Sequence, residues 1–66
     1  MQLLVNGRHR EVEQGTDLLA LLRSFDMDPR LVVIEHNDRI LRPAQFEGAV
    51  LAEGDRVEIV QFVGGG

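Results

Sequence analysis

The chain has 66 residues, 44% of them hydrophobic and 27% charged, with a formal net charge of −4. At that length a single domain forms, able to bury only about 60% of the surface its unfolded chain exposes. There is no cysteine, which excludes a disulfide framework, a thiolate zinc site and a cysteine nucleophile. Lysine is absent too, all seven basic residues being arginine, so the chain offers no side-chain amine for a Schiff base or for conjugation to itself. The acidic balance argues against nucleic acid and against an anionic membrane surface. No apolar run approaches the roughly 18 residues of a membrane span. A soluble, cytoplasmic domain is expected.

In chain order, Met1 to Val5 reads as a strand, and Asn6-Gly7 after it suits a two-residue hairpin turn with φ > 0 at both positions. Arg8 to Glu13 is the return strand, charged as an edge strand should be. Thr16 is the expected N-cap of a helix of about ten residues, whose apolar face is Leu18, Leu19, Leu21, Leu22 and Phe25. Asp28-Pro29 stops it, because the residue before proline is pushed out of the α region. Leu31 to His36 is β-branched and apolar, a third strand, and Asn37-Asp38 turns it into a short return at Arg39-Ile40-Leu41. Pro43 to Phe46 suits one helical turn, Ala49 to Leu51 a brief strand, and Val57 to Phe62 the last strand. The pattern predicts an α+β fold, a mixed sheet of four to five strands with one helix across one face. The first and last strands lie side by side and parallel at its centre. The expected core is Leu3, Val5, Leu18, Leu22, Phe25, Val32, Ile34, Ile40, Val57 and Ile59. Residues 1–62 form the domain, and 63–66 a flexible glycine tail.

Catalytic chemistry finds little to stand on. The hydroxyl side chains are Thr16, read as a cap, and Ser24, placed in the middle of the helix. His9 and His36 fall on different strands with no cysteine or spaced carboxylate to complete a metal set, so no metal site is expected. Glu11/Glu13 and Asp26/Asp28 read as solvated acidic surface, since a general acid–base pair needs one buried member. An enzyme is not expected.

Gly64-Gly65-Gly66 carries more. Without a Cβ, glycine can enter a narrow channel and bring its carbonyl carbon to another protein's catalytic groups. A carboxylate on Gly66 could attack a phosphoanhydride and form an acyl-adenylate. From Val63 to Gly66 the extended reach is about 13 Å at roughly 3.3 Å per residue. If Leu3, Val5, Val57 and Ile59 face the helix, then Leu4, Val60 and Phe62 face outward, and Val33 on the neighbouring strand extends the patch. A contiguous apolar patch on a small acidic domain marks a docking surface, or else a dimer face.

The start Met1-Gln-Leu-Leu-Val-Asn-Gly7, the block Glu53-Gly-Asp-Arg-Val-Glu-Ile-Val60 and the ending Gln61-Phe-Val-Gly-Gly-Gly66 resemble the ThiS family, the sulfur carriers of thiamine biosynthesis. The resemblance covers the whole chain. It implies a β-grasp (ubiquitin-like) fold and a mechanism in which a ThiF-like adenylyltransferase, using ATP and magnesium, adenylates the Gly66 carboxylate. Sulfur from a cysteine desulfurase pathway then makes a thiocarboxylate, and a ThiG-like thiazole synthase takes that sulfur into thiazole phosphate. Gly65 and Gly66 match the family's functional terminus, and Leu4, Val33, Val60, Phe62, Val63 and Gly64 are the expected partner contacts. Asp38 departs from the pattern, standing where many members carry glycine. The competing readings are the small subunit of molybdopterin synthase, a modifier attached to lysines of targets, and a passive ubiquitin-like interaction domain.

Overall fold

The computed structural model describes residues 1–62. Five strands form one sheet: β1 (Gln2–Val5), β2 (Arg8–Glu11), β3 (Val32–His36), β4 (Arg39–Leu41) and β5 (Arg56–Gln61). One helix, α1 (Leu18–Ser24), crosses the sheet, and short 3-10 turns occupy Pro29–Leu31 and Pro43–Gln45. The strand order is β2-β1-β5-β3-β4. β1 and β5 are parallel neighbours, and the other three pairings are antiparallel. This is the β-grasp arrangement, with β5 central as its apolar inner residues require.

Both hairpins are set by residues that tolerate positive φ. Asn6 (φ 49°) and Gly7 (φ 79°) turn β1 into β2, and Asn37 (φ 49°) and Asp38 (φ 71°) turn β3 into β4. Each asparagine then extends a ladder with its side chain. Asn6 Oδ1 accepts from the Ile59 N–H at 2.6 Å, and its Nδ2 donates to the Ile59 carbonyl at 3.2 Å. Asn37 Oδ1 accepts from the Arg56 N–H at 2.8 Å. The side-chain amides thus add to the backbone bonds that the Asn6 and Asn37 N–H groups make to the Val57 and Arg56 carbonyls of β5.

α1 is shorter than expected, seven residues against about ten, and begins differently. Asp17 is the N-cap, its Oδ1 accepting from the Ala20 N–H at 2.8 Å. Thr16 instead donates its hydroxyl to the Glu13 carbonyl. The Asp17 carboxylate also accepts from the Gly48 N–H through its other oxygen, so it ties two segments together. The helix ends before proline matters. Asp26 takes φ 57°, the Asp26 and Met27 N–H groups donate to the Arg23 and Leu22 carbonyls, and this is a Schellman motif with aspartate in the glycine position. Ser24 is therefore the last helical residue, its hydroxyl bonded to the Leu21 carbonyl.

The core holds Leu3, Val5, Leu18, Leu21, Leu22, Val32, Ile34, Phe46, Leu51, Val57 and Ile59. Phe25 packs against it half-buried. Ile40, expected inside, is 71% exposed, because β4 pairs it with outward-facing Glu35 and turns Leu41 inward opposite Ile34. Phe46 fills the core instead, fully buried after the 3-10 turn. Ala49 to Leu51 joins no strand of the sheet. It makes an isolated bridge, Asp17 with Val50, flanked by hydrogen bonds to Thr16 and Leu18.

Candidate functional site

Side-chain alternation along β5 sends Val57 and Ile59 to the helix side and Glu58, Val60 and Phe62 to the other. β3 runs antiparallel beside it, with Val33 directly opposite Val60. The pairing continues past the strand ends, where the Phe62 N–H donates to the Leu31 carbonyl at 2.8 Å. Val33, Val60, Leu31 and Phe62 therefore form one apolar strip on the open face. Val60 is 60% exposed, Phe62 56% and Leu31 47%. Leu31 was not among the expected contacts, although its spacing two residues before Val33 carried the signal.

Leu4 stands apart from this strip. It is half-buried and pairs with Arg56, four residues back along β5 from Val60, a separation of about 13 Å at strand rise. The parallel register decides this. Between the two lie Glu35 and Glu58, directly opposite each other, with Ile40 beyond Glu35. The expected contacts Val63 and Gly64, and the reactive positions Gly65 and Gly66, lie outside the described residues.

The near end of β5 is held by a polar cluster. Asp55 Oδ2 accepts from the Ala52 N–H and lies 2.8 Å from His36 Nε2, and Asp55 Oδ1 accepts from Asn37 Nδ2. Burial pushes the Asp55 carboxyl up, but the hydrogen bonds from Asn37, His36 and Ala52 together outweigh it and hold the pKa below its ordinary value. The cluster ties the β3–β4 turn to the start of β5. His9 sits on β2 opposite Leu4, three strands from β3, so it and His36 are about 14 Å apart or more at ~4.8 Å per strand and share no metal. Among the described residues no three His, Asp or Glu side chains cluster to hold an ion, and no helix is long and apolar enough to cross a membrane.

Comparison with known proteins matches residues 3–66 to the ThiS family model. The sulfur carrier protein ThiS of Bacillus subtilis is 32% identical over 97% of this chain and 98% of its own. A thiazole synthase of Magnetococcus marinus is 35% identical across the full length of this chain, which spans only 20% of that protein. A crystal structure of the thiamine biosynthesis protein ThiS from Geobacter metallireducens superposes with a TM-score of 0.83 at 30% identity, covering 100% of both chains.

Proposed function

The chain belongs to the ThiS family, and from that membership we propose that it works as a cytoplasmic sulfur carrier in thiamine biosynthesis, a co-substrate of partner enzymes and not a catalyst. A ThiF-like adenylyltransferase, which binds the ATP and magnesium, docks on the strip formed by Leu31, Val33, Val60 and Phe62. The Gly66 carboxylate attacks the α-phosphorus of ATP, pyrophosphate leaves, and an acyl-adenylate forms. A persulfide carrying sulfur from a cysteine desulfurase displaces AMP to form an acyl disulfide. A partner's thiol reduces that S–S bond, becoming a disulfide itself and leaving a terminal thiocarboxylate on this chain. Thiazole synthase draws on that sulfur to build thiazole phosphate, and the carboxylate returns.

The observation that carries the reading is the family match running through Gly66. The chain's chemistry supports it: lacking cysteine, it cannot hold sulfur as a persulfide, so a carboxylate is the group left to load. The thiazole synthases that contain a domain like this one support the choice of acceptor.

Deleting Gly65-Gly66 tests the mechanism. ATP–pyrophosphate exchange with the cognate adenylyltransferase is expected to vanish, and an unchanged rate refutes it. Protein purified from cells is expected to show a species heavier by the difference between one sulfur and one oxygen.

A further inference from the structure

On the helix side of the sheet, the seam between β2 and α1 is left open. Strand pairing puts Arg8 opposite Val5 and Arg10 opposite Leu3, so both arginines occupy positions that alternation assigns to the core face. Both are exposed, because α1 is too short to cover them. The resulting groove has a volume of about 340 Å³, an apolar floor of Val5, Phe25, Met27 and Ile59, and Arg8 and Arg10 as its cationic rim. Arg10 lies over the Phe25 ring, 5.2 Å from its centroid. Past that contact a second depression of about 320 Å³ continues the seam, but Glu11 and Glu13 line it beside Val12 and Thr16, so the cationic stretch of the seam ends at Arg10.

Two features ask for an anion here. The protein's net charge is −4, yet among the described residues no carboxylate lies within 4 Å of either rim guanidinium. A guanidinium lying over an aromatic ring keeps its N–H edges free for an acceptor. The apolar floor adds a second requirement, since a bare anion would touch the rim and leave the floor unused. The groove also has a telling position. Asn6 is bonded to Ile59, so the groove opens beside the half of β5 that leads to Phe62, on the opposite face from Val60 and Phe62. A partner seated on the outer strip leaves it accessible.

We propose that this groove binds an acidic, extended segment of a partner protein, whose carboxylates pair with Arg8 and Arg10 and whose apolar side chain rests on Phe25 and Met27. The site rests on the carrier reading only in that the domain works through partners. It gives such a partner a second hold, on the face that the apolar strip does not use.

Amide chemical shifts from NMR test it, with the capped peptide Asp-Leu-Asp-Phe-Glu as probe. Its uncharged counterpart Asn-Leu-Asn-Phe-Gln and inorganic phosphate are the comparison ligands. The acidic peptide is expected to give saturable shifts at Asn6, Arg8, Arg10, Phe25 and Met27 that fade with added salt. Arg8→Gln with Arg10→Gln is expected to weaken it about tenfold or more, two charge-assisted contacts being lost. Arg8→Gln alone, which leaves the Arg10–Phe25 contact in place, should show part of the loss. Absence of saturable shifts, equal shifts with the uncharged peptide, or the same affinity for phosphate alone would each overturn the proposal. ATP–pyrophosphate exchange by the double variant reads the tail chemistry separately, so the two readings can fail independently.

Discussion

Asn6 does two jobs that no other residue type combines. It accepts the left-handed conformation, φ 49°, and its amide pairs with both backbone groups of Ile59. Asn6→Ala removes both hydrogen bonds and leaves a Cβ-bearing residue at positive φ, a loss of about 2–3 kcal/mol. Asn6→Gly should recover the conformational part and not the hydrogen bonds. Urea unfolding of the two variants separates the contributions, and equal midpoints would mean that the amide contributes nothing. Asp26 offers the opposite case. It holds φ 57° at the end of α1, where glycine is favoured and a negative charge opposes the helix dipole. Asp26→Gly should stabilise by about 0.5–1 kcal/mol, raising Tm by several degrees in a domain of this size.

At the scale of elements, local chemistry and tertiary choice come apart. The Asn6-Gly7 hairpin, the parallel pairing of β1 with β5 and the leucine face of α1 were legible, because turn residues and apolar periodicity state them directly. Ile40 and Phe46 were not. β4 has only three residues, too few for alternation to reveal which way it faces, and the segment holding Phe46 has no period at all. The outward Val33, Val60 and Phe62 followed from alternation, whereas the distance of Leu4 from them depends on the parallel register, and the groove under Arg8 depends on where α1 stops. The cluster that fastens β3–β4 to β5 also makes a pH prediction. Asp55 has a lowered pKa in the fold, as does Asp17 through its bonds to Gly48 and Ala20, and Asp28, paired with Arg30, lies at about 2. The folded state therefore binds fewer protons than the unfolded chain in acid. Stability from these groups is fully present above their unfolded pKa of about 4, and is lost as pH falls through the lower folded values. Thermal unfolding should show a flat Tm from neutrality to about pH 5 and a decline below it. Asp55→Asn should be less stable at neutrality and show a shallower acid decline, and an unaltered acid slope would remove Asp55 from the account.

Across the described residues, one sheet divides the labour between its faces: the inner face, covered by α1 and Phe46 except along the β2–α1 seam, holds the fold, and the outer strip is exposed for encounter. Substitutions should therefore split by face. Phe46→Ala opens a cavity in the centre and should cost about 3–5 kcal/mol, a large share of what so small a domain possesses. Its loss of carrier function should track the unfolded fraction and recover on cooling toward the temperature of maximum stability. Phe62→Asp lies on the exposed strip and should change stability by no more than about 0.5 kcal/mol. In ATP–pyrophosphate exchange it should raise the KM for the carrier about tenfold or more while leaving kcat near its original value, the mark of lost binding that is equal in ground and transition states. If Phe62→Asp unfolds the domain, the outward direction of that strip is wrong. If it folds and leaves KM unchanged, the partner docks elsewhere and the apolar strip has another purpose.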